Sequence, residues 1–448
     1  MLATALLEAV WRDPAETLGA LADEPWAIGF LSGGTDAGWS YVAAAPDATL
    51  TLAADDRRDP FAALKEMVGE PTSGAPDGPP FQGGVAGLAS YDLGDRVERL
   101  GLGRLDDWPD LACGRYPSVL AFDHRRRRSI AVGRGADPAA ARRAAETALA
   151  WLALPARQAA PPAADLSPDD PAVYEAAVAE VVGRIHAGEI FQANIARRWR
   201  GRLAQGAAPA DVLANLAARS PAPFASYLRL PGRAVVSNSP ERFLRVVPCD
   251  GRLTAETQPI KGTAPRGRSE AEDRALAEAL AASPKDRAEN LMIVDLMRND
   301  LARVCSAGSV RTPELFRLVS FANVHHLVST VTGLLAPGRT AVDLLQASFP
   351  PGSITGAPKV QAMKVISQLE PPRGPFFGAM FQLGFDGMLD SSVLIRTAGF
   401  VQEGDRPGAT WRVEARAGAG IVADSDPRQE RQETESKISA MAAALGAA

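Results

Sequence analysis

The sequence predicts a mixed α/β or α+β fold, and three observations support this prediction. Short apolar runs bounded by glycine and proline recur in the first third, helical and strand-like segments alternate further on, and a proline-rich stretch separates the two parts. Of the 448 residues, 46% are hydrophobic and 23% are charged, which is enough apolar material for a large core. The pattern fits neither a helical bundle nor an all-β sandwich.

The first third of the chain contains several strand candidates and then one helix. The helix is predicted over residues 136–153, and proline and small residues predict an irregular connector over 154–171. We therefore place a boundary at residue 160. The arginine run 125–128 follows a strand and predicts a solvated turn rather than a nucleic-acid patch. The strand candidates are residues 26–31, 39–45, 83–93 and 118–123.

Helices and strands alternate downstream of the connector. Val173, Ala177, Val181 and Ile185 recur at a spacing of four and predict an amphipathic helix over 172–187. Serine followed by proline at residue 283 predicts the start of a second helix, which runs to 304 with an apolar, buried middle. Strands are predicted at 189–199, 224–230, 234–237 and 242–247.

Composition excludes several classes of protein. A formal net charge of −5 argues against a general nucleic-acid binder, because phosphate contacts need a basic face. Three scattered cysteines without a C-x-x-C pair argue against a disulfide framework and a zinc site. No secretory signal or membrane span is visible, so we expect a cytoplasmic protein with no nucleic-acid or membrane partner.

One lysine stands in a segment suited to chemistry. Lys261 lies between the apolar Ile260 and a Gly-Thr turn in TQPIKGTAPRG, residues 257–267. A desolvated lysine tends to lose its proton, and the neutral amine is a nucleophile. The alternative is an ordinary surface lysine in a turn.

Carboxylates recur at a spacing of three in two places. Asp286 pairs with Glu289, and Glu430 pairs with Glu433. On a helix this spacing puts both carboxylates on one face, and two such faces that meet would hold Mg²⁺. The alternative is a pair of solvated helix faces, with Lys437 forming an ordinary salt bridge to Glu433.

Three further segments are informative. His325 and His326 are adjacent and point in different directions, so at most one of them enters a given site. GAGIVA, residues 418–423, lacks the helix that a dinucleotide-binding motif requires, and it predicts a turn that presents N–H groups to an anion. FPPGSITGAPK, residues 349–359, lacks the Lys-Ser/Thr pair of a phosphate-binding loop.

In order along the chain, these segments closely resemble the chorismate-utilising enzymes, which include anthranilate, aminodeoxychorismate, isochorismate and salicylate synthases. The resemblance covers about residues 172–440. It implies an anthranilate synthase component I-like fold, a large two-sheet β-sandwich core wrapped by helices. In that fold residues 1–160 contribute strands to a shared core, and 161–448 form the chorismate-binding catalytic domain. The matching stretches are residues 188–198, 239–244, 259–263, 285–304, 326–333, 349–363, 395–398 and 417–437.

Two positions within the resemblance separate the family's activities. Lys261 matches aminodeoxychorismate synthases, which resemble PIKGT where anthranilate synthases have alanine. The resemblance implies that its amine adds to C2 of chorismate and expels the C4 hydroxyl, after which ammonia attacks C4. Gln192 stands where isochorismate and salicylate synthases have a lysine base, and an amide cannot activate water. The implied activity is that of aminodeoxychorismate synthase component I, a transaminase-type transferase in para-aminobenzoate and folate biosynthesis.

The resemblance also assigns roles to further residues. Glu241 is the general acid, and His326 is a third catalytic position whose task is less defined. Mg²⁺ is bound by Glu289 and Glu433, with Asp286 and Glu430 as helpers. The implied substrate-binding residues are Gln192, Gly262, Thr263, Ser353, Arg396, Gly418, Ala419, Gly420 and Lys437.

The sequence also bears on the nitrogen source and on alternative functions. No cysteine lies in a G-x-C-x-G setting, so we expect free ammonia or a glutamine amidotransferase subunit on a separate chain to supply nitrogen. Asp286 and Asn290 agree with the aminodeoxychorismate branch, whereas Phe377 stands where tyrosine is frequent. The alternatives are anthranilate synthase component I of tryptophan biosynthesis and a non-catalytic subunit that binds chorismate or tryptophan.

Overall fold

The computed structural model describes residues 2–34, 37–249, 251–320, 324–404 and 409–446. Within these ranges the helices are α1 Pro14–Leu21, α2 Pro60–Val68, α3 Gly94–Glu98, α4 Pro138–Ala150, α5 Pro171–His186, α6 Pro209–Arg219, α7 Glu270–Ala282, α8 Pro284–Ala302, α9 Ala341–Ser348, α10 Lys359–Leu369 and α11 Pro427–Ala444. The strands up to the end of the connector are β1 Ala3–Val10, β2 Ile28–Leu31, β3 Trp39–Ala43, β4 Ala48–Leu52, β5 Gly84–Ala89, β6 Leu111–Tyr116, β7 Ser118–Asp123, β8 Arg128–Gly135 and β9 Ser167–Pro168. The later strands are β10 Gln192–Arg202, β11 Phe224–Leu230, β12 Arg233–Ser239, β13 Arg242–Cys249, β14 Arg252–Thr257, β15 Ile260–Pro265, β16 Arg311–Ser320, β17 Val324–Leu334, β18 Gly356–Ala357, β19 Ala379–Gly384, β20 Leu389–Val393, β21 Thr397–Gln402 and β22 Trp411–Ile421.

The strands form two antiparallel sheets. The first sheet has twelve strands in the order β1-β8-β7-β3-β2-β11-β12-β21-β22-β10-β18, with β9 paired to β10. The second has ten strands in the order β15-β17-β14-β13-β20-β19-β5-β6-β4, with β16 paired to β17. Apolar side chains from both sheets, among them Ile28, Leu88, Ala121 and Met380, form one buried cluster. This arrangement confirms the α+β class and the two-sheet core.

Strands from both sides of the connector share each sheet. In the first sheet β2 pairs with β11, with Leu31 opposite Ala225. In the second sheet β5 pairs with β19, with Ala89 opposite Ala379. The connector itself is irregular apart from the two-residue β9, an isolated β-bridge between Ala164 and Leu203, and Pro171, with which α5 begins. The boundary at residue 160 stays a prediction.

Helices cover the outer faces of the sheets. Helices α1, α4, α6 and α11 pack on the first sheet, and α2, α8 and α9 pack on the second. Helix α8 begins as predicted, because the Ser283 side chain accepts a hydrogen bond from the Asp286 N–H and Pro284 occupies the first turn. Helices α5 and α10 pack on the end of the first sheet formed by β10 and β22.

Two local predictions were wrong. Val173 is 63% exposed, because the buried stripe of α5 runs through Tyr174, Ala177, Val178 and Val181. Residues 418–421 do not form the predicted turn, since β22 continues to Ile421 and pairs with β10 over these four residues; a turn follows only at residues 423–424. The predicted turn after β7 is confirmed, with residues 125–127 exposed.

No helix in the described ranges is both long enough and apolar enough to cross a membrane.

Candidate active site

The predicted site residues meet at one cavity of about 760 Å³. It lies where β15, β22, α8 and α11 come together with the segment around residue 353. Every residue predicted for the site lines this cavity except Gln192 and Ala419. The lining residues are Glu241, Lys261, Gly262, Thr263, Asp286, Glu289, His326, Ser353, Arg396, Gly418, Gly420, Glu430, Glu433 and Lys437.

Lys261 is held at an irregularity in the second sheet. It pairs with Leu327 of β17, and the register shifts before Thr263 pairs with His326. The intervening Gly262 has φ +84°, a left-handed conformation that favours glycine. Burial lowers the pKa of Lys261, while the nearby Glu289 carboxylate acts to raise it. The net direction favours the neutral, nucleophilic amine.

Gly420 provides the space into which Lys261 extends. A Cβ atom on Gly420 would lie 2.6 Å from Lys261 Nζ and 2.8 Å from Gln192 Nε2. Any side chain at this position would therefore collide with both groups. Gln192 is fully buried, and its amide atoms have no hydrogen-bond partner in the described part of the chain. It lies beside the lysine although it is not part of the cavity lining.

The Gly-Ala-Gly sequence of β22 is explained by the way in which side chains along a strand point alternately to its two faces. Gly418 and Gly420 face the cavity, whereas Ala419 and Ile421 belong to the apolar cluster beneath α5 and α10. The Ala419 methyl group therefore points away from the cavity, and only the backbone of this residue is placed to contact a ligand.

Glu241 is a buried carboxyl group between β12 and β13. Its residue is only 5% exposed, and burial raises its pKa to about 7. A hydrogen bond with Ser353 and the charge of Lys261 oppose this rise. A large fraction of Glu241 is protonated near neutral pH, which suits a general acid.

His326 is buried on β17 opposite Thr263 of β15, the strand that carries Lys261. Its Nδ1 lies 2.9 Å from Thr263 Oγ1. Burial, followed by the positive charge of Arg396, lowers the pKa of His326 to about 4. The imidazole is therefore neutral at pH 7 and orients Thr263 rather than providing a charged acid.

Two cations in the cavity are in different situations. Arg396 lies in the left-handed region, with φ +51°, and its guanidinium forms no ion pair within the described residues. Burial lowers its pKa. Lys437 instead donates to the Gly418 carbonyl at 2.9 Å and pairs with Glu433 at 2.5 Å. A half-buried arginine without a counter-ion is suited to the carboxylate of a ligand.

Four carboxylates line the cavity from two helices, Asp286 and Glu289 from α8 and Glu430 and Glu433 from α11. Burial raises the pKa values of Glu289 and Glu430, and the charge of Glu433 raises both further. Burial also acts to raise the pKa of Glu433, but Lys437, Lys261 and Lys285 together outweigh it and the pKa is lowered. Oxygen donors of this kind suit Mg²⁺. Among the described residues, however, no three carboxylates or imidazoles are arranged as a complete metal-binding group.

Comparison with known proteins agrees with this geometry. Residues 29–443 match the chorismate binding enzyme family. The chain belongs to this family. It is 38% identical to aminodeoxychorismate synthase component 1 of Klebsiella aerogenes, and the match covers 98% of both proteins. The corresponding Escherichia coli protein is 39% identical, over 98% of this chain and 97% of the relative.

Anthranilate synthases of the same family are also similar. Component 1 from Thermus thermophilus is 39% identical over 87% of this chain and 83% of the relative. The crystal structure of anthranilate synthase component I from Streptococcus pneumoniae superposes with a TM-score of 0.78 at 29% identity, over 91% of this chain and 93% of that one. The anthranilate synthase component I-like fold is therefore confirmed.

The structure adds several polar cavity residues that sequence reasoning missed, among them Asn194. Asn194 lines the cavity of about 760 Å³ and is 5% exposed. The sequence held a usable signal, because Asn194 follows Gln192 by two residues on a predicted strand and must share its face. A larger cavity, about 900 Å³, lies elsewhere beside Ser32, Trp39 and Gln382, and none of the predicted site residues lines it.

Proposed function

We propose that this protein is an aminodeoxychorismate synthase component 1, which converts chorismate and ammonia to 4-amino-4-deoxychorismate. The observation that carries the proposal is Lys261, a lysine of lowered pKa that enters the family's cavity beside Gly420 and Gln192. The aminodeoxychorismate synthases among its relatives, similar over nearly the whole chain, support the same assignment.

In the first step the neutral amine of Lys261 forms a bond to C2 of chorismate. Both ring double bonds shift, from C1–C2 to C1–C6 and from C5–C6 to C4–C5, and the bond between C4 and its hydroxyl breaks. Glu241 donates its proton to the departing hydroxyl, which leaves as water. This role requires the protonated carboxyl that burial provides.

In the second step ammonia forms a bond to C4. Both ring double bonds shift back, and the bond between C2 and the Lys261 nitrogen breaks, so the lysine amine is regenerated. The new amino group loses one proton to the Glu241 carboxylate. Chorismate and ammonia thus give 4-amino-4-deoxychorismate and water, and both residues return to their starting states.

The remaining cavity residues bind and orient the substrate. Arg396 and Lys437 take its carboxylates, and Thr263, fixed by the neutral His326, provides a hydroxyl contact. The oxygen donors suit Mg²⁺, with Glu289 and Glu433 as its principal ligands and Asp286 and Glu430 as helpers. When bound, Mg²⁺ would supply positive charge opposite the ring carboxylate, and it would compete with Lys437 for Glu433.

We further propose that ammonia comes from a glutamine amidotransferase subunit on a separate chain. The term component 1 in the names of the relatives supports this inference. The reaction belongs to para-aminobenzoate and folate biosynthesis, and we place the protein in the cytoplasm.

The proposed function is tested by identifying the product. The purified protein is incubated with chorismate, ammonium chloride and Mg²⁺, and the product is analysed by mass spectrometry. We expect 4-amino-4-deoxychorismate, formed only when ammonium is present. Anthranilate or isochorismate as the main product would contradict the proposal.

Anthranilate synthase component 1 is the second candidate. The 39% identity to the Thermus thermophilus protein favours it. Direct fluorescence of anthranilate in the same reaction, without any added lyase, would establish this alternative. Lys261 argues against it, because the resemblance places alanine at this position in anthranilate synthases.

A further inference from the structure

Asn194 has a buried side chain whose hydrogen bonds are not all made. Its residue is 5% exposed, and Oδ1 has no partner among the described residues. Burying an amide without its partners costs stability, and such groups are rare in folded proteins. Because Asn194 also lines the cavity, its Oδ1 is placed to accept a hydrogen bond from a bound molecule.

The backbone of Asn194 is fixed on both sides. Its N–H donates to the Thr355 carbonyl at 2.9 Å, and its carbonyl accepts from Arg373 Nη2 at 2.7 Å. Arg373 is itself buried and paired with Glu370. The side chain of Asn194 is therefore held toward the cavity.

A glycine on the neighbouring strand makes room for this side chain. A Cβ atom on Gly418 would lie 2.5 Å from Asn194 Oδ1, just as one on Gly420 would lie 2.8 Å from Gln192 Nε2. Gln192 and Asn194 thus extend from one face of β10 over two glycines of β22. We call this pair of side chains the amide strip. Both amide atoms of Gln192 also lack partners within the described ranges.

We propose that the amide strip is the subsite that holds ammonia, an inference that rests on the proposed function. Several groups that line the cavity, among them Glu433 and Lys437, carry charge, and charge suits ammonia poorly. A carboxylate would favour ammonium, which has no lone pair for attack, and a cation would repel ammonium. Amide oxygens accept hydrogen bonds from the N–H groups of neutral ammonia and leave its lone pair free. The strip also adjoins Lys261, so ammonia would wait beside the ring bound to that lysine.

The test separates binding of ammonia from binding of chorismate. Wild type and Asn194→Ala are assayed at fixed pH, with ammonium chloride varied at saturating chorismate and then chorismate varied at saturating ammonium chloride. Loss of one hydrogen bond predicts a KM for ammonium chloride raised about ten-fold. We expect the KM for chorismate to change less than about three-fold on the same free-energy scale. Gln382→Ala is the matched control, since this buried amide also lacks a partner for Oε1 within the described residues but lies outside the cavity.

Two further measurements distinguish a structural role of Asn194 from an ammonia subsite, and a failure of the subsite from a failure of the proposed function. We expect Asn194→Ala to melt at or above the wild-type temperature, and to form the covalent adduct of Lys261 at the wild-type rate without ammonia. The ammonia subsite would be overturned by an unchanged KM for ammonium chloride or by a raised KM for chorismate alone. It would also be overturned if the melting temperature fell and the KM values for ammonium chloride and for chorismate both rose. If the wild type forms no 4-amino-4-deoxychorismate, the proposed function fails, and the subsite fails with it.

Discussion

Gly420 lies so close to Lys261 that a methyl group on Gly420 would come within 2.6 Å of the lysine Nζ. We therefore expect Gly420→Ala to displace the amine from its position of attack. Misplacement by about 1 Å costs on the order of 100-fold in rate, and we expect kcat to fall by about that factor. Steady-state formation of 4-amino-4-deoxychorismate measures the effect.

Gly183→Ala is the control for this substitution. Gly183 lies in α5, and nothing lies within 4 Å of the Cβ that alanine would add. This variant should keep full activity and gain about 0.5–1 kcal/mol in free energy of unfolding, because alanine favours a helix over glycine. If Gly420→Ala were as active as Gly183→Ala, the close contact with Lys261 would have no role in catalysis.

From the raised pKa of Glu241 we predict that the rate of the first step falls as the pH rises above neutrality. Its pKa is raised to about 7, above that of an ordinary carboxyl, by burial, and the charges of Lys261 and Lys437 and the hydrogen bond with Ser353 oppose the rise. The protonated form is the acid, so its contribution is lost as pH rises through about 7. The rate of adduct formation, measured without ammonia, should fall there, and Glu241→Gln should lose this decline and about 10²–10⁴-fold in rate.

The raised pKa of Glu241 also makes the stability of the folded protein depend on pH. Because the pKa is raised in the folded protein, the contribution of Glu241 is fully present below the ordinary carboxyl pKa and is lost as pH rises through about 7. The melting temperature of Glu241→Gln should therefore depend less on pH over this interval than that of the wild type. An identical dependence in both proteins would show that Glu241 does not titrate there.

Arg396 should contribute to binding rather than to stability. It is a half-buried cation without an ion pair among the described residues, so Arg396→Met should leave the melting temperature unchanged or raised. Loss of a charged hydrogen bond predicts a KM for chorismate raised about 10–100-fold. Arg298→Met, which removes an exposed arginine of α8, is the control and should change neither value. A wild-type KM in Arg396→Met would exclude contact with the substrate.

From the four carboxylates that line the cavity we predict that product formation requires Mg²⁺. Removal of divalent cations with a chelator should abolish product formation, and added Mg²⁺ should restore it and raise the melting temperature by binding the folded state. Glu433→Gln should lose that rise. Glu278→Gln, at an exposed position of α7, should keep it. Full activity after exhaustive chelation would contradict the proposed metal site.

Local signals in the sequence were sufficient for some elements. The Ser283-Pro284 start of α8 was predictable because capping depends only on neighbouring residues. The exposed Val173 was not, since its periodicity fits the helix and only packing against β10 and β22 selects the stripe that contains Tyr174. The glycines 418 and 420 indicated a turn, whereas pairing with a distant strand keeps them in β22.

The candidate site, like the fold, could be predicted only in part from the sequence. The apolar setting of Lys261 and the family resemblance around Glu241 led to their predicted roles, and the structure brings both residues to one cavity. The contact of Lys261 with Gly420 could not be predicted, because the two residues belong to strands of different sheets. The position of Asn194 two residues after Gln192 was a usable signal, but the lack of a partner for its Oδ1 among the described residues is visible only in the folded structure.

The central claim is that Lys261 attacks chorismate, and intact-protein mass spectrometry tests it most directly. Wild type, Lys261→Ala and Lys364→Ala, a control at an exposed lysine of α10, are each incubated with chorismate and Mg²⁺ without ammonia. We predict that wild type and Lys364→Ala gain the mass of chorismate minus one water, that added ammonium releases it, and that Lys261→Ala gains nothing. An adduct that persists in Lys261→Ala, or undiminished product formation by that variant, would contradict the account.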